Sequence, residues 1–433
     1  MSAVASKPDA NSRRRCGKSW PPTLNCWCWL ASKGARGSER PHATAPEKYG
    51  EKCLRLRGYL RAPGDGRTQP RLAAGALLWG LLVGQFLRRG TFAGIEALAR
   101  SSARPALDLV RCGDDALGYL TERLSSAVTR RAAVTAVRQA KRNKAFDNCR
   151  FLGLAVDGTG VARSHRKVCR WCRPYRNRQR KILGYHHQVV MVSIVGAGLT
   201  LPLDVEPYGP QDSEYNAGRR LLRRVVDNLG RRFAQYVVVD GEFARAPFLH
   251  EAGDRGLHVV ARLKGNLPEL LAAAEKRFRH QPPHQVFWHG PDRVEIWDAD
   301  DFDPWNTLRW DTVRVIRYRQ YKPQGEVVEA YWLTDFRSSQ VSSKALFRMA
   351  KSRWEIENEG FNDAKNHHGF EHLCHHHANS LLLVWLLTAL ALTIERLYRV
   401  RFLHRGTHPV RAAIQLWQLL WLSLSRPIPH DTS

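Results

Sequence analysis

The sequence is short of acidic residues, of long hydrophobic runs and of cysteines in an obvious pairing pattern. Its longest apolar stretches, residues 72–84 and 381–394, fall below the roughly 20 residues that a membrane-spanning helix requires. We therefore expect both to be buried core helices, and we expect no membrane partner. Nine cysteines, an odd number scattered over 433 residues with no recognisable signal peptide, predict a reduced cytoplasmic protein and not a disulfide scaffold.

Basic residues are plentiful where acidic ones are scarce. The chain has 68 Lys and Arg against 40 Asp and Glu, which gives a formal net charge of +28. Such an excess favours a polyanion, and nucleic acid first, as the partner. Hydrophobic residues make up 43% of the chain and tryptophan occurs 14 times, which excludes a wholly disordered basic protein.

The first 149 residues divide into a basic arm and a helical region. Residues 1–70 are rich in Arg, Pro, Gly and Ser without sustained periodicity, which predicts a mostly disordered arm. Helical spacing of apolar residues then predicts helices over 72–87, 92–99 and 115–124. Two interpretations of residues 71–149 stay open: a DNA-binding unit of helix-turn-helix type, or a helical layer that only packs on the next domain.

Residues 150–264 have the pattern of an α/β domain. Short apolar runs predict strands at 151–156, 188–195, 199–205, 236–239 and 257–261. Helices are expected at about 214–228 and 246–254. The second of these helices connects the last two strands, which implies that those strands are parallel.

The remainder is expected to form a β-rich insertion followed by helices. Residues 265–339 contain alternating β-branched and aromatic stretches between Pro and Gly turns, which predicts strands. Residues 340–400 return to helical spacing and are assigned to the same core as 150–264. Residues 401–433 are expected to be a C-terminal helix and tail.

Two of the predicted buried strands are followed by an aspartate, Asp157 and Asp240. Strand ends are where open α/β sheets place their sites, although a single aspartate there is often only a turn or helix cap. A third acid, Glu357, lies four residues after Arg353 and so shares a helix face with it. The plain alternative for that pair is an exposed ion pair, and Glu355 and Glu359 are rivals for the third carboxylate.

Together, two aspartates and a glutamate would be hard oxygen ligands, suited to Mg²⁺ or Mn²⁺ and not to zinc. Two such ions about 3.5–4 Å apart can clamp the attacking and leaving oxygens of a phosphodiester displacement. In a strongly basic protein, this combination favours an enzyme that acts on nucleic acid.

The sequence resembles the DDE transposases of bacterial insertion sequences over roughly residues 75–400. The most specific part is RWEIENEGFNDAK at 353–365, because such transposases carry Arg, then Glu four residues on, then Lys, on the helix after the insertion. The stretches LAVDGTGV around Asp157 and VVVDGEFA around Asp240 support the resemblance. The chain departs from the family pattern at Ala350, where a tyrosine is usual, and Lys365 falls one residue later than the commonest spacing.

This resemblance implies an α/β fold with a ribonuclease H-like mixed sheet, flanking helices and the β-rich insertion. It implies that Asp157, Asp240 and Glu357 are the metal-binding catalytic triad, and that Arg353 and Lys365 contact DNA or steady the site. The implied reaction is metal-dependent hydrolysis of a phosphodiester at the insertion-sequence end, followed by attack of the freed 3′-hydroxyl on target DNA.

The partners implied are double-stranded DNA, as terminal inverted repeats and as target, and a second copy of the chain in a dimer on that DNA. A nucleoid-associated cytoplasmic location is expected. Two alternatives stay open: a nuclease with the same core that cuts without joining, and a catalytically inactive DNA-binding relative.

A basic segment, residues 161–181, begins four residues after Asp157. It holds nine Lys and Arg and no acid. The plain interpretation is a solvated loop; beside a phosphodiester site it could instead hold the DNA backbone, with Trp171 and Tyr175 available to stack on unpaired bases. The residues predicted to contact DNA are Arg166, Lys167, Arg170 and Arg173.

The same segment contains Cys169 and Cys172, which have the spacing of zinc ligands, and His165, His186 and His187 are near in sequence. A single CxxC without a second pair is weak evidence for zinc. The sequence alone therefore does not favour a structural zinc site here.

Overall fold

The computed structural model describes residues 45–60, 65–403 and 412–424. Residues 1–44, most of the predicted arm, lie outside the described residues. The prediction of disorder is wrong for residues 45–60, which form helices α1 (Ala45–Leu54) and α2 (Leu56–Leu60). The burial of Leu54, Leu56 and Leu60 explains this difference, because these side chains anchor a stretch whose overall composition is polar.

The helical region contains the predicted helices and two more. Its members are α3 (Ala74–Phe86), α4 (Phe92–Arg100), α5 (Arg104–Leu107), α6 (Asp114–Arg123) and α7 (Ala127–Arg142). α3 is apolar almost all round and nearly every residue in it is buried. α7 is amphipathic, with alanines and valines on its buried face.

The first six strands of the central sheet are four that pair antiparallel, followed in the chain by two that pair parallel. These are β1 (Gly153–Ser164), β2 (Arg173–Arg176), β3 (Ile182–Val195), β4 (Leu201–Tyr208), β5 (Tyr236–Val239) and β6 (His258–Leu263). The spatial order is β4, β3, β1, β5, β6, with β2 adding a short pairing to the other end of β3. Helices α8 (Glu214–Leu229) and α9 (Ala246–Asp254) provide the connections into β5 and β6. This mixed sheet with flanking helices confirms the predicted fold class.

The insertion extends the central sheet. It contains α10 (Pro268–Phe278), β7 (Gln285–His289), β8 (Asp292–Phe302), β9 (Val313–Tyr321) and β10 (Val327–Thr334). β10 pairs antiparallel with β6, and β9, β8 and β7 follow in order. The strands lie where the sequence predicted them, but they belong to one ten-stranded sheet, and α10 was not predicted.

After the sheet the chain is helical. α11 (Ser343–Lys351) is followed by α12 (Arg353–Glu355), a π-helical segment (Ile356–Phe361) and α13 (Asn362–His368). We refer to residues 353–368 as the signature helix. The long α14 (Ala378–Tyr398) comes next, and α15 (Ala413–Leu424) ends the described chain.

α14 is the central helix of the fold. Among the described residues, one helical stretch, Ala378–Leu403, is long and apolar enough to cross a membrane, and its most apolar window is wholly buried within the protein. The N-terminal helices pack around it: Thr121 Oγ1 lies 2.9 Å from Ser380 Oγ, and Thr388 donates to Gln85 Oε1 at 3.0 Å. These contacts agree with the packing interpretation of residues 71–149.

Candidate active site

The register of the sheet brings Asp157 and Asp240 together. β1 and β5 are parallel, and Val156 lies opposite Val239. Asp157 and Asp240, the residues that follow these two valines, therefore lie side by side at the same edge of the sheet. The prediction that Asp157 ends its strand is wrong, because β1 continues to Ser164 through its pairing with β3. β5, in contrast, ends at Val239, just before Asp240, and a short 3₁₀ turn begins at Gly241.

The signature helix adds Arg353 and Glu357 to this edge. Arg353 Nη1 donates to Asp157 Oδ2 at 3.0 Å and to Glu357 Oε1 at 2.8 Å. Arg353 is only 8% exposed, so its charge is directed at the two carboxylates and not at solvent. Glu357 lies inside the π-helical segment, a local widening of the helix that often marks functional sites.

A fourth carboxylate, Glu214, was missed by sequence reasoning. It is the first residue of α8, after the N-cap Ser213, and looks in the sequence like an ordinary acid in a helix's first turn. In the structure its carboxyl group lies against the backbone of Gly158, so close that a Cβ at Gly158 would overlap it. Tyr208 Oη lies 3.4 Å from Glu214 Oε2. Nothing in the sequence links Glu214 to Asp157, because the contact depends on how α8 crosses the sheet.

Burial and mutual repulsion raise the pKa of two of these acids. Burial raises the pKa of Asp157 to about 7; Arg353 opposes the rise, and Glu357 and Glu214 add to it. Burial also raises the pKa of Glu214, with further contributions from Glu242 and Asp240. Carboxylates that crowd in this way favour a bound cation, which would relieve the repulsion.

The pKa of Asp240 shifts in the opposite direction. Burial alone would raise its pKa, but hydrogen bonds from Lys264 and from the backbone of Gly241 outweigh that effect and lower it. Lys264 Nζ lies 2.8 Å from Asp240 Oδ1. Asp240 is therefore an ionised carboxylate with a cationic partner.

The donor set fits a hard divalent cation. Asp157, Asp240, Glu214 and Glu357 supply carboxylate oxygens from different elements of the fold, which is the chemistry that Mg²⁺ and Mn²⁺ prefer. Among the described residues, no three of these acids bring their oxygens within 4.8 Å of one another. Arg353 instead bridges Asp157 and Glu357, and Lys264 neutralises Asp240.

The rival acids and Lys365 lie apart from this arrangement. Glu355 Oε2 accepts from the backbone N–H of Gly196 at 3.3 Å, on another side of the helix, and Glu359 is exposed. Among the described residues, the ion-pair partner of Lys365 is Glu371, at 3.3 Å. The roles predicted for Arg353 and Lys365 on DNA stay predictions, with Arg353 in a position to steady the acids.

The basic segment is only partly available to a ligand. Arg166, Lys167 and Arg170 are exposed and stay predicted DNA contacts. Arg173 is engaged in the fold, because its Nη1 donates to the backbone carbonyls of Gly209 at 2.6 Å and Asp212 at 3.0 Å.

The two aromatic residues of this segment, Trp171 and Tyr175, differ in their exposure to solvent. The prediction that Trp171 is free to stack on bases is wrong, because it is 9% exposed and its ring packs near that of Trp385 in α14, with centroids 6.3 Å apart. Tyr175 is partly exposed and packs near His186. In the same segment Cys169 and Cys172 meet His187, whereas His165 and His186 are not part of that group.

Comparison with known proteins identifies the family of the domain that contains these residues. Residues 150–394, more than half of the chain, match the family model described as a transposase DDE domain. Seven chains of solved structures match, among them one from the cryo-EM structure of a piggyBac transposase synaptic complex with hairpin DNA. That match has 12% sequence identity and a TM-score of 0.42, and it covers 91% of this chain and 82% of the other. No curated protein matches the sequence.

Proposed function

The chain belongs to the DDE transposase family, and we propose that Asp157, Asp240 and Glu357 are the carboxylates with which it cuts and joins DNA. The protein is a DNA transposase, and enzymes of this family use divalent metal ions. The observation that carries the residue assignment is the bridge made by Arg353. One buried guanidinium joins an acid of β1 to an acid of the signature helix, beside the acid that ends β5.

We propose Mg²⁺ or Mn²⁺ as the metal, held by these three acids together with Glu214. Bound there, the metal would stabilise the attacking and leaving oxygens as a Lewis acid. The protein's own contribution is to fix the acids: Asp157 and Asp240 are held by adjoining strands and Glu357 by a helix packed on them. Arg353 then links the helix to the sheet by its hydrogen bond to Asp157, and it holds Glu357 on its own helix by the second.

The proposed reaction has two displacements at phosphorus in the same site. First, the oxygen of a water molecule bonds to the phosphorus at the element end and the bond to the element's 3′ oxygen breaks. The freed 3′-hydroxyl then attacks a phosphorus of target DNA, whose bond to its own 3′ oxygen breaks. Terminal inverted repeats and target duplex are therefore the two proposed DNA substrates.

We also propose that the enzyme acts as a dimer, because the two ends of one element have to be joined to one target. The mass of the complex with end DNA, measured by light scattering, tests this. Two chains on two DNA ends support a dimer, and one chain on each separate end contradicts it.

A strand-transfer assay tests the function itself. Duplexes that carry the repeats flanking the reading frame are incubated with a supercoiled target plasmid and either Mg²⁺ or EDTA. We expect joined products with Mg²⁺ and none with EDTA. Cut ends without joined products would identify a nuclease of the same core, and binding without cutting would identify an inactive relative.

A further inference from the structure

Two cysteines and a histidine converge beside the basic segment. Cys169 Sγ lies 3.1 Å from His187 Nε2 and 4.0 Å from Cys172 Sγ, and Cys172 Sγ lies 3.5 Å from the same Nε2. Within the described residues, this is the only group of three or more His, Cys, Asp or Glu side chains whose ligand atoms all lie within 4.8 Å of one another. His187 is fully buried and Cys172 is 1% exposed.

The local backbone brings the two cysteines and the histidine together. Cys169 and Cys172 are joined by a turn in which Cys172 N–H donates to Cys169 O, and the backbone N–H of Val168 donates to Cys172 Sγ at 3.3 Å. His187 lies on β3 at a bulge: Gln188 pairs with Gly160 of β1, His186 pairs with Arg163, and the register shifts between these two pairs. The turn and the strand thus present three donor atoms to one point.

The distances are those of metal ligands and not those of a disulfide. A disulfide requires sulfurs about 2.05 Å apart. Tetrahedral zinc, with Zn–S of about 2.3 Å and Zn–N of about 2.0–2.1 Å, separates two sulfurs by about 3.8 Å and a sulfur from a nitrogen by about 3.5 Å. The three separations in the protein lie within about 0.5 Å of those values.

Hydrogen bonding alone leaves this cluster poorly satisfied. A ring nitrogen offers either one hydrogen or one lone pair, yet His187 Nε2 faces two sulfurs, the buried Cys172 Sγ and the half-buried Cys169 Sγ. A cation at the common point would satisfy all three atoms at once. Thiolate and imidazole donors select zinc over the hard cations that suit the carboxylate site.

We propose that Cys169, Cys172 and His187 bind one Zn²⁺ ion, with a water molecule as the fourth ligand, separately from the catalytic metal site. Both thiols lose their protons to solvent on binding, and the two thiolates neutralise the ion. The zinc would link the turn between Cys169 and Cys172, which is part of the basic segment, to β3. Arg170 lies between the two cysteines, so the ion would fix the backbone of an exposed cation predicted to contact DNA.

Zinc content tests this proposal directly. Protein purified under reducing conditions without chelator should contain about one zinc per chain by inductively coupled plasma mass spectrometry, and X-ray absorption should show two sulfur and two nitrogen or oxygen scatterers. Cys169→Ser and His187→Asn should each reduce the zinc content at least fivefold. The matched control is Cys374→Ser, which changes a cysteine next to histidines that do not form such a cluster and should leave the content unchanged.

A second measurement uses the wild-type protein, in case the variants fail to fold. Blocking its thiols with a mercurial should release one equivalent of zinc to a colorimetric chelator. Wild-type protein that takes up no zinc even from added ZnCl₂, or Cys169→Ser protein that keeps a full equivalent, would overturn the proposal. Asp157→Asn protein should keep its zinc, so failure of the catalytic assignment and failure of this proposal are distinguishable.

Discussion

At the residue scale, the acid most in need of an explanation is Glu214. Its carboxyl group lies against Gly158, next to Asp157, and burial together with the neighbouring acids raises its pKa. A helix cap alone does not require a carboxylate in that position, because Ser213 already caps α8 by accepting from Asn216 N–H. We infer that Glu214 helps to hold the metal.

Glu214→Gln should therefore weaken Mn²⁺ binding on the order of tenfold, as loss of a supporting metal-site residue commonly does. The measurement is a titration followed by electron paramagnetic resonance or calorimetry. Glu326→Gln is the control, because Glu326 is an exposed carboxylate paired with Lys322 and its loss should leave the affinity unchanged. Equal affinities for Glu214→Gln and wild type would contradict the assignment.

Glu355 gives a prediction about pH. Burial raises its pKa to about 7, the Gly196 N–H opposes this and Glu359 adds to it, whereas the unfolded chain titrates near 4.5. Between these values the folded state binds more protons than the unfolded state, so this group lowers the free energy of unfolding as the pH rises through that window.

Glu355→Gln should remove that destabilisation. Relative to wild type, the variant should gain on the order of 3 kcal/mol of unfolding free energy at pH 8 and almost nothing at pH 4.5, as measured by urea denaturation. Glu359→Gln changes an exposed carboxylate of the same helix and serves as the control. A gain for Glu355→Gln that is the same at both pH values would contradict the burial argument.

At the element scale, several features followed from the sequence because they are set locally. The strand Tyr236–Val239 and the helix Ala246–Asp254 have the predicted bounds, since a continuous apolar run and a compact amphipathic stretch define them. The pairing of β10 with β6 is not local, so the sequence could not show that the insertion joins the central sheet. Apolar spacing also did not predict the π-helical segment around Glu357.

The basic segment is the element that we expect to bind DNA outside the catalytic acids. Changing Arg166, Lys167 and Arg170 together to Gln should weaken DNA binding and reduce the slope of log K against log salt by about 0.9 for each phosphate that the protein no longer neutralises. Filter binding over a range of salt concentrations measures this.

A matched control lies on α10 and the residue after it, where three cations are also exposed: Lys276, Arg277 and Arg279. Their replacement by Gln removes the same charge and should leave the slope close to that of wild type. Equal slopes for the two triple variants would show that the basic segment makes no special interaction with DNA.

At the scale of the whole molecule, the net charge of +28 is distributed unevenly. The arginines of α8 add little free positive charge, because Arg219 and Arg223 pair with Glu251, and Arg224 pairs with Asp204 and Glu206. Among the described residues, the exposed cations of residues 161–181 have no such carboxylate partner. The excess of charge is evident from composition, but only the packing of α8 on the sheet shows which cations are already neutralised.

Which residues of the candidate sites could be predicted depends in the same way on whether the signal is local in sequence or comes from long-range contacts. Asp157, Asp240, Arg353 and Glu357 could be selected from motifs because each motif is contiguous in sequence. Glu214 could not, because its contact with Gly158 depends on the assembled sheet, and His187 could be named only as one of three histidines near Cys169 and Cys172.

The central claim is that Asp157, Asp240 and Glu357 carry out the chemistry. Its most direct test is strand transfer by Asp157→Asn, Asp240→Asn and Glu357→Gln, with Glu355→Gln as a control two residues from Glu357. Each of the three variants should fold, bind end DNA and lose strand transfer by a factor on the order of 10³ or more, while Glu355→Gln keeps it. Wild-type strand transfer by any of the three, or its loss in Glu355→Gln alone, would contradict this account.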